Sequence, residues 1–147
     1  MGIKLTIVEN PEFKQPEIIL RCEALNHDLR KIVEFIRVRS HTIPVKEGGA
    51  STLLALSGVF YFESVDKKTF AYCASEVYEC SESLAELERR LADTTFVRAS
   101  KSCIVNAALI RSVKPLDNHR LTALMRNGER QIINRHYVVA LKEKLGI

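Results

Sequence analysis

Residues 59–73 read VFYFESVDKKTFAYC, and this stretch decides the fold class. Aromatic and β-branched residues, which are enriched in strands, dominate both of its ends. Asp66, Lys67 and Lys68 interrupt the run with polar residues that are typical of a turn. The stretch therefore predicts two paired strands, residues 59–65 and 69–73, joined at a charged tip.

Short strands and turns continue beyond this hairpin. Further strands are predicted over residues 76–80, 96–99, 104–106 and 109–113. The strongest local signal is Asn127-Gly128, a dipeptide typical of a type I′ turn, which predicts a hairpin between residues 121–126 and 130–133.

Two short helices are predicted among these strands. Ser83 and Glu86 have the spacing of a capping box and lie at the start of the first helix. Asn134 is the predicted cap of a terminal helix that ends at Gly146. The main part of the chain is therefore expected to be mainly β, and α+β overall.

The first 47 residues have a different pattern. Residues 3–8 and 17–22 are predicted strands, and a helix is predicted to follow Asn26 because apolar side chains recur there at helical spacing, at Leu29, Ile32, Val33 and Ile36. The turn at Gly48-Gly49 marks the predicted boundary. We thus expect a strand-strand-helix unit over residues 1–47 and a main domain over residues 48–147. Because the unit is small, it should pack on the rest of the chain or on a second copy of itself.

The composition is that of a single globular domain. The chain has 147 residues, of which 46% are hydrophobic and 27% charged. No apolar run approaches the roughly 20 residues that cross a bilayer, and the first ten residues lack the features of a secretory signal. We therefore expect a cytosolic protein without a membrane span. The four cysteines form no CxxC pair and are predicted to be free thiols, at Cys22, Cys73, Cys80 and Cys103.

The net charge of +4 is unevenly distributed along the chain. Residues 95–147 carry 10 Lys and Arg against 3 Asp and Glu, whereas residues 51–94 carry 4 against 8. A basic final third favours a polyanionic partner such as nucleic acid, although a solvated basic face would have the same composition. The sequence contains no P-loop, GxGxxG, HExxH or GxSxG motif, so we expect neither an enzyme nor a bound cofactor.

Cations and small polar residues gather where the predicted strands end. Such groups neutralise phosphates or donate hydrogen bonds to phosphate oxygens and base edges. Since no basic recognition helix is visible, a DNA reader with this pattern should read with loops. The positions are Lys67, Lys68 and Thr69; Arg98, Ser100, Lys101 and Ser102; Asn118 and Arg120; and Asn134 and Arg135.

From residue 48 to residue 146 the chain resembles LytTR-type DNA-binding domains. The resemblance lies in the order and spacing of YFESVDKKTFAY, VYEC, SLAELERRL, FVRASKSCIVN, LIRSVKP and NGERQIINRHYVVALKEKLG. It implies an elongated antiparallel β-sandwich of short strands with small helices, and loops that enter successive major grooves. Asn134 stands where the family usually has Ser. Carried over position by position, the resemblance implicates as DNA contacts Lys67, Lys68, Thr69, Arg98, Ser100, Lys101, Ser102 and Arg135.

The resemblance also implies a function. Many relatives carry a receiver domain of about 120 residues, which 50 residues cannot hold, so phosphorelay control is not expected. The N-terminal unit resembles that of stand-alone members, in which it would serve dimerisation or binding of a regulatory protein. We expect a sequence-specific transcriptional regulator that binds double-stranded DNA as a homodimer on repeated elements.

Two alternatives stay open at this point. The first is a protein-interaction or small-ligand module that uses the apolar face of the N-terminal helix, with the basic third merely solvated. The second is an RNA-binding protein. Neither alternative explains why cations gather at the ends of strands.

Overall fold

A computed structural model describes residues 2–14 and 16–147, and most of its elements are short strands. The strands are β1 (Thr42–Glu47), β2 (Ala50–Ala55), β3 (Val59–Val65), β4 (Lys68–Cys73), β5 (Val77–Cys80), β6 (Phe96–Ser100), β7 (Cys103–Asn106), β8 (Ile110–Pro115), β9 (Leu121–Met125) and β10 (Arg130–Ile133). The helices are α1 (His27–Ser40), α2 (Leu84–Arg90) and α3 (Val138–Leu145). Single 3₁₀ turns occur at Leu56–Gly58, Ala107–Leu109, Asp117–His119 and Arg135–Tyr137.

The strands form two antiparallel sheets. The larger has the order β2-β1-β5-β4-β3-β7-β6, and the smaller has the order β10-β9-β8. All of the strand pairs are antiparallel. The predicted mainly β class, with small helices, is confirmed.

Two hydrophobic cores lie on opposite faces of the larger sheet. Phe62 of β3 belongs to the first core, where it packs against Phe96 at 5.4 Å between ring centroids, next to the leucines of α2. Tyr61, its neighbour along β3, belongs to the second core, beneath the smaller sheet and α3. Because side chains alternate along a strand, the central strands of the larger sheet are buried on both faces. All four residues of β7 are buried for this reason.

The turns of two hairpins differ from their predictions: the first is shorter, because Lys68 belongs to β4, and the second is of another type. The two-residue turn between β3 and β4, Asp66-Lys67, has φ angles of 51° and 67°, as a type I′ turn requires. The Asn127-Gly128 hairpin is confirmed, but its predicted turn type is wrong: Gly128 has a positive φ of 89° and Asn127 does not. Met125 N–H donates to Glu129 O, so three residues fill the loop, and such loops take a type I turn followed by a left-handed residue.

The predicted helix ends are largely confirmed. Glu86 N–H donates to Ser83 Oγ at 3.2 Å in a complete capping box, and Leu29 N–H donates to Asn26 Oδ1 at 2.9 Å. Gly146 ends α3 with a φ of 75°. Asn134 instead begins the 3₁₀ turn before α3, and its side chain makes no capping hydrogen bond.

The first part of the chain departs from its prediction. Residues 3–8 and 17–22, predicted as strands, belong to no sheet; the described residues 2–14 and 16–25 contain no strand. An alternating sequence forms a strand only where another strand accepts its backbone hydrogen bonds, and no strand in the described part of the chain does so here.

The hairpin β1–β2 crosses the predicted boundary at residue 47. Thr42–Glu47 pairs with Ala50–Ala55 around Gly48-Gly49, and Val45 lies opposite Cys80 in β5. These two strands were not predicted from the sequence. The division of the chain into residues 1–47 and 48–147 stays a prediction, but β1 is part of the larger sheet.

Candidate nucleic-acid interface

Three of the predicted DNA-contacting segments lie side by side at one end of the larger sheet. Strand β3 pairs with β7, so the turn after β3 and the turn between β6 and β7 are neighbours. Ser64 N–H donates to Ser102 O at 2.9 Å across these turns. On the far side, Asn134 N–H donates to Ala99 O, also at 2.9 Å. We call the resulting surface the basic edge, defined by Lys67, Lys68, Ser100, Lys101, Ser102 and Arg135.

The cations of the basic edge face the solvent. Lys67, Lys101 and Arg135 are exposed, and none forms an ion pair with the described residues. Lys68 Nζ lies 3.8 Å from a carboxylate oxygen of Glu79, whose other oxygen lies 2.7 Å from Lys46 Nζ. The hydrogen bond from Lys46, with the nearby charges of both lysines, lowers the pKa of Glu79 below its usual value. Lys68 is therefore the one cation of the basic edge with a carboxylate neighbour among the described residues.

Arg98 holds the turn between β6 and β7 from inside. Its guanidinium donates to Ser100 O at 2.8 Å and to Lys101 O at 2.7 Å, and it lies 3.4 Å from Glu88 in α2. The side chain is only 17% exposed. Ser102 N–H adds a hydrogen bond to Ser100 Oγ at 3.2 Å. The turn is thus fixed from two sides, and Lys101 is presented at its tip.

Thr69 lies inside the sheet rather than at its edge. It pairs with Ser64 on one side and Cys80 on the other, and it is 5% exposed. Since alternate residues of a strand share a face, Thr69 lies on the same face as the buried Ala71. Thr69 has almost no surface to offer to DNA, whereas the neighbouring Lys67 and Lys68 are exposed.

Arg135 also borders a second basic feature, a groove of about 570 Å³ between the β8–β9 loop and α3. Arg120 and Lys142 line the groove with it, as do Asn118 and His119. The last two have φ angles of 60°, so the loop bends sharply there. Asn118, Arg120 and Arg135 were predicted from the sequence, and His119 was not. Lys142 could not be predicted, because only the fold places the second turn of α3 beside this loop.

The chemical groups of this surface are suited to binding an anion. All four cysteines are free, as predicted. Burial raises the pKa of the Cys80 and Cys103 thiols to about 12, so both stay protonated and unreactive at neutral pH. Within the described residues, no group of three or more His, Cys, Asp or Glu side chains could hold a metal ion. What the surface offers is cations, hydroxyl groups and amides, which are the groups that bind phosphates and base edges.

The comparison with known families agrees with this chemistry. Residues 49–146 match the sequence pattern of the LytTr DNA-binding domain. The chain belongs to the LytTr DNA-binding domain family. A solved LytTr DNA-binding domain from Bacillus cereus has the same fold: it matches with a TM-score of 0.66 and 28% sequence identity, over 72% of this chain and 97% of that one. The resemblance read from the sequence is confirmed.

Relatives of two lengths are similar to this chain. The sensory transduction protein LytT of Enterococcus faecalis is 27% identical over 109 residues, which is 74% of this chain and 45% of LytT. The LytT of Bacillus subtilis is 21% identical over 131 residues, or 89% of this chain and 54% of that protein. The chain thus spans about half the length of these relatives. An uncharacterized HTH-type transcriptional regulator of Staphylococcus aureus is 24% identical over 147 residues, 99% of both chains. In the part of the chain that the structure describes, no helix is long and apolar enough to span a membrane.

Proposed function

We propose that this LytTr protein is a cytoplasmic transcriptional regulator that reads double-stranded DNA in successive major grooves, as a homodimer on two repeated elements. The observation that supports this most strongly is the basic edge. Two backbone hydrogen bonds, Ser64 to Ser102 and Asn134 to Ala99, bring three separate basic segments into one row. A regulatory protein is a further candidate partner.

The residues of the basic edge divide into readers and phosphate contacts. Lys101, at the tip of a rigid hairpin, and Arg135, at the opening of a helical turn, are placed to reach base edges. An arginine offers a planar pair of donors for this purpose. Lys67 and Lys68 neutralise phosphates, while the hydroxyl groups of Ser100 and Ser102 donate hydrogen bonds to oxygens of the DNA backbone.

Two of the residues implicated by the resemblance take supporting roles in this proposal. Arg98 is a positioning residue, because its guanidinium is occupied by the carbonyl groups of the turn that carries Lys101. Thr69 is buried in β4 and supports the hairpin behind Lys67. Arg120 and Lys142, which line the groove beside Arg135, extend the phosphate contacts beyond the basic edge.

A binding titration tests the proposal. Purified protein is titrated against duplex DNA from upstream of its own coding region, by fluorescence anisotropy at two salt concentrations and with random duplex as competitor. We expect competitor-resistant binding with a steep fall in affinity as salt rises, since each neutralised phosphate contributes a slope of about −0.9 in log K against log salt.

A matched pair of charge reversals locates the contact. Lys101→Glu and Lys31→Glu change the net charge equally, but Lys31 is exposed on α1 and outside the basic edge. We expect a large loss of affinity for Lys101→Glu and a small one for Lys31→Glu. Equal losses would favour a merely solvated basic face, and duplex RNA that competes as well as duplex DNA would favour an RNA-binding protein.

A further inference from the structure

Residues 3–8 and 17–22 have the sequence of strands, but no strand among the described residues pairs with them. Apolar side chains that would normally be buried point into solvent: Leu5 is 82% exposed and Ile7 is 75% exposed. The second segment is similar, with Ile18 at 71% and Ile19 at 65%. Exposed apolar residues clustered in this way mark an interaction surface.

These segments line one wall each of an open groove over α1. Residues 2–5 and 18–24 flank it, and Leu29, Ile32 and Ile36 of α1 contribute apolar side chains. Its volume is about 750 Å³. Leu29 is buried, but Ile32 remains 37% exposed, so the described part of this chain does not fill the groove.

The helix beneath the groove is held firmly to the main domain. At its start, the His27 ring lies against Gly146 so closely that a Cβ at position 146 would come within 2.7 Å of the ring. Just beyond its end, Leu56 N–H donates to His41 O at 3.2 Å. The apolar surface is therefore presented on a fixed support.

We propose that a second copy of this chain covers the groove, and that residues 3–8 and 17–22 of the two copies pair as strands of one intermolecular sheet backed by both α1 helices. This proposal rests on the homodimer of the proposed function and assigns it a surface. Pairing between copies satisfies the exposed backbone groups and buries the exposed side chains in the same step.

The available area fits a small dimer interface. A buried aliphatic side chain removes about 100 Å² from water on the usual conversion of 25 cal/mol per Å². Because alternate residues of a strand share a face, a sheet backed by α1 would cover Ile3, Leu5, Ile7 and Ile18, which at their observed exposures bring about 570 Å² of apolar surface into an interface of two copies. Since somewhat more than half of an interface is apolar, the total would be about 1,000 Å², near the lower limit for a specific interface.

The mass in solution tests the proposal without DNA. We expect light scattering to give twice the chain mass of 16.7 kDa. The protein is measured at about 1 to 100 μM, because this range surrounds the micromolar dissociation constants of moderate complexes. The double variant Leu5→Lys/Ile7→Lys, changed only at exposed positions, should have the mass of one chain. A wild-type protein that stays monomeric, or a double variant that still dimerises equally well, would overturn the proposal.

A matched control uses the free edge of the larger sheet. Leu53 is 70% exposed on β2, the edge strand, and Leu53→Lys adds the same kind of charge outside residues 3–8 and 17–22. We expect Leu53→Lys to remain dimeric. If Leu53→Lys were monomeric and Leu5→Lys/Ile7→Lys dimeric, the interface would lie on β2 instead.

Amide hydrogen exchange tests the strand pairing itself. In the wild-type dimer we expect residues 3–8 and 17–22 to be protected, and to lose protection in Leu5→Lys/Ile7→Lys. Unprotected segments in a dimer would overturn the pairing. Failure of the proposed function is distinguishable, because it would appear as absent specific DNA binding in a protein whose mass is still that of a dimer.

Discussion

Tyr61 and Phe62 are neighbours in β3 and both are buried, at 6% and 0% exposed, whereas Ile7 and Val8 are neighbours and both exposed, at 75% and 69%. All four are residue types that favour strands. Strand β3 lies between β4 and β7 and has a core on each face, while residues 3–8 have no flanking strand among the described residues and stay exposed. The difference teaches that a strand-like sequence is buried only where the fold supplies neighbouring strands and a core to cover it.

The largest expected effect follows from this contrast. Phe62→Ala removes a fully buried ring that packs against Phe96, and it should lower the free energy of unfolding by about 3 to 5 kcal/mol. Leu5→Ala should leave the unfolding of the monomer nearly unchanged, because its side chain is already in water. Urea denaturation, at a protein concentration low enough to favour the monomer, measures the free energy of unfolding of both variants. Comparable losses from the two variants would contradict the contrast between a closed and an open region.

Next in size is the effect of Arg135→Ala on DNA binding. If Arg135 reads a base, the variant should lose about 1 to 3 kcal/mol of specific binding free energy, or roughly 5-fold to 150-fold in affinity. Its mass in solution should not change, which separates the basic edge from the N-terminal segments.

Arg111→Ala is the control for Arg135→Ala. Arg111 is an exposed arginine of β8 that belongs neither to the basic edge nor to the groove beside α3. Both variants lose one positive charge, and anisotropy against the same duplex compares them. Equal affinities for the two variants would remove Arg135 from the readers.

Arg98→Lys should have a smaller effect, and it should lower both the stability of the protein and its affinity for DNA. Lysine keeps the charge but cannot reproduce the two donors that meet Ser100 O and Lys101 O. Loss of one such hydrogen bond should lower the free energy of unfolding by about 1 to 2 kcal/mol. DNA affinity should fall as well, since the turn that presents Lys101 loosens. A variant with wild-type stability and reduced affinity would instead indicate that Arg98 contacts DNA directly.

The sequence predicted those features whose determinants are local. Ser83 and Glu86 define a helix start by themselves, and residues 59–73 contain both strands of a hairpin and its turn. The burial of Thr69 was not predictable, because it depends on which face of β4 meets the core. The same holds for Lys142, which joins Arg120 and Arg135 only through the packing of α3. The strand prediction for residues 3–8 failed because alternation specifies a strand but not the chain that pairs with it.

The smallest expected effect concerns the tip of the β3–β4 hairpin. Lys67 has a φ of 67°, which lies in the left-handed region. This conformation is unfavourable for a residue with a Cβ, because the Cβ comes too close to a carbonyl oxygen, whereas glycine adopts it freely. Lys67→Gly should therefore raise the free energy of unfolding by about 0.5 to 1 kcal/mol while it weakens DNA binding through the loss of a phosphate contact. Stability and affinity would move in opposite directions, as expected where a lysine in a strained conformation contributes its charge to binding.

Lys68→Gly is the matched control for this last prediction. Lys68 is the first residue of β4, with no positive φ to relieve, and it also lies at the basic edge. Glycine in a strand costs backbone entropy and removes a side chain that packs on the sheet, so this variant should lose both stability and affinity. Thermal unfolding and anisotropy on the two variants make the comparison. If Lys67→Gly destabilised the protein as much as Lys68→Gly does, the turn would not be strained at Lys67. A lysine at that position would then not lower the stability of the fold.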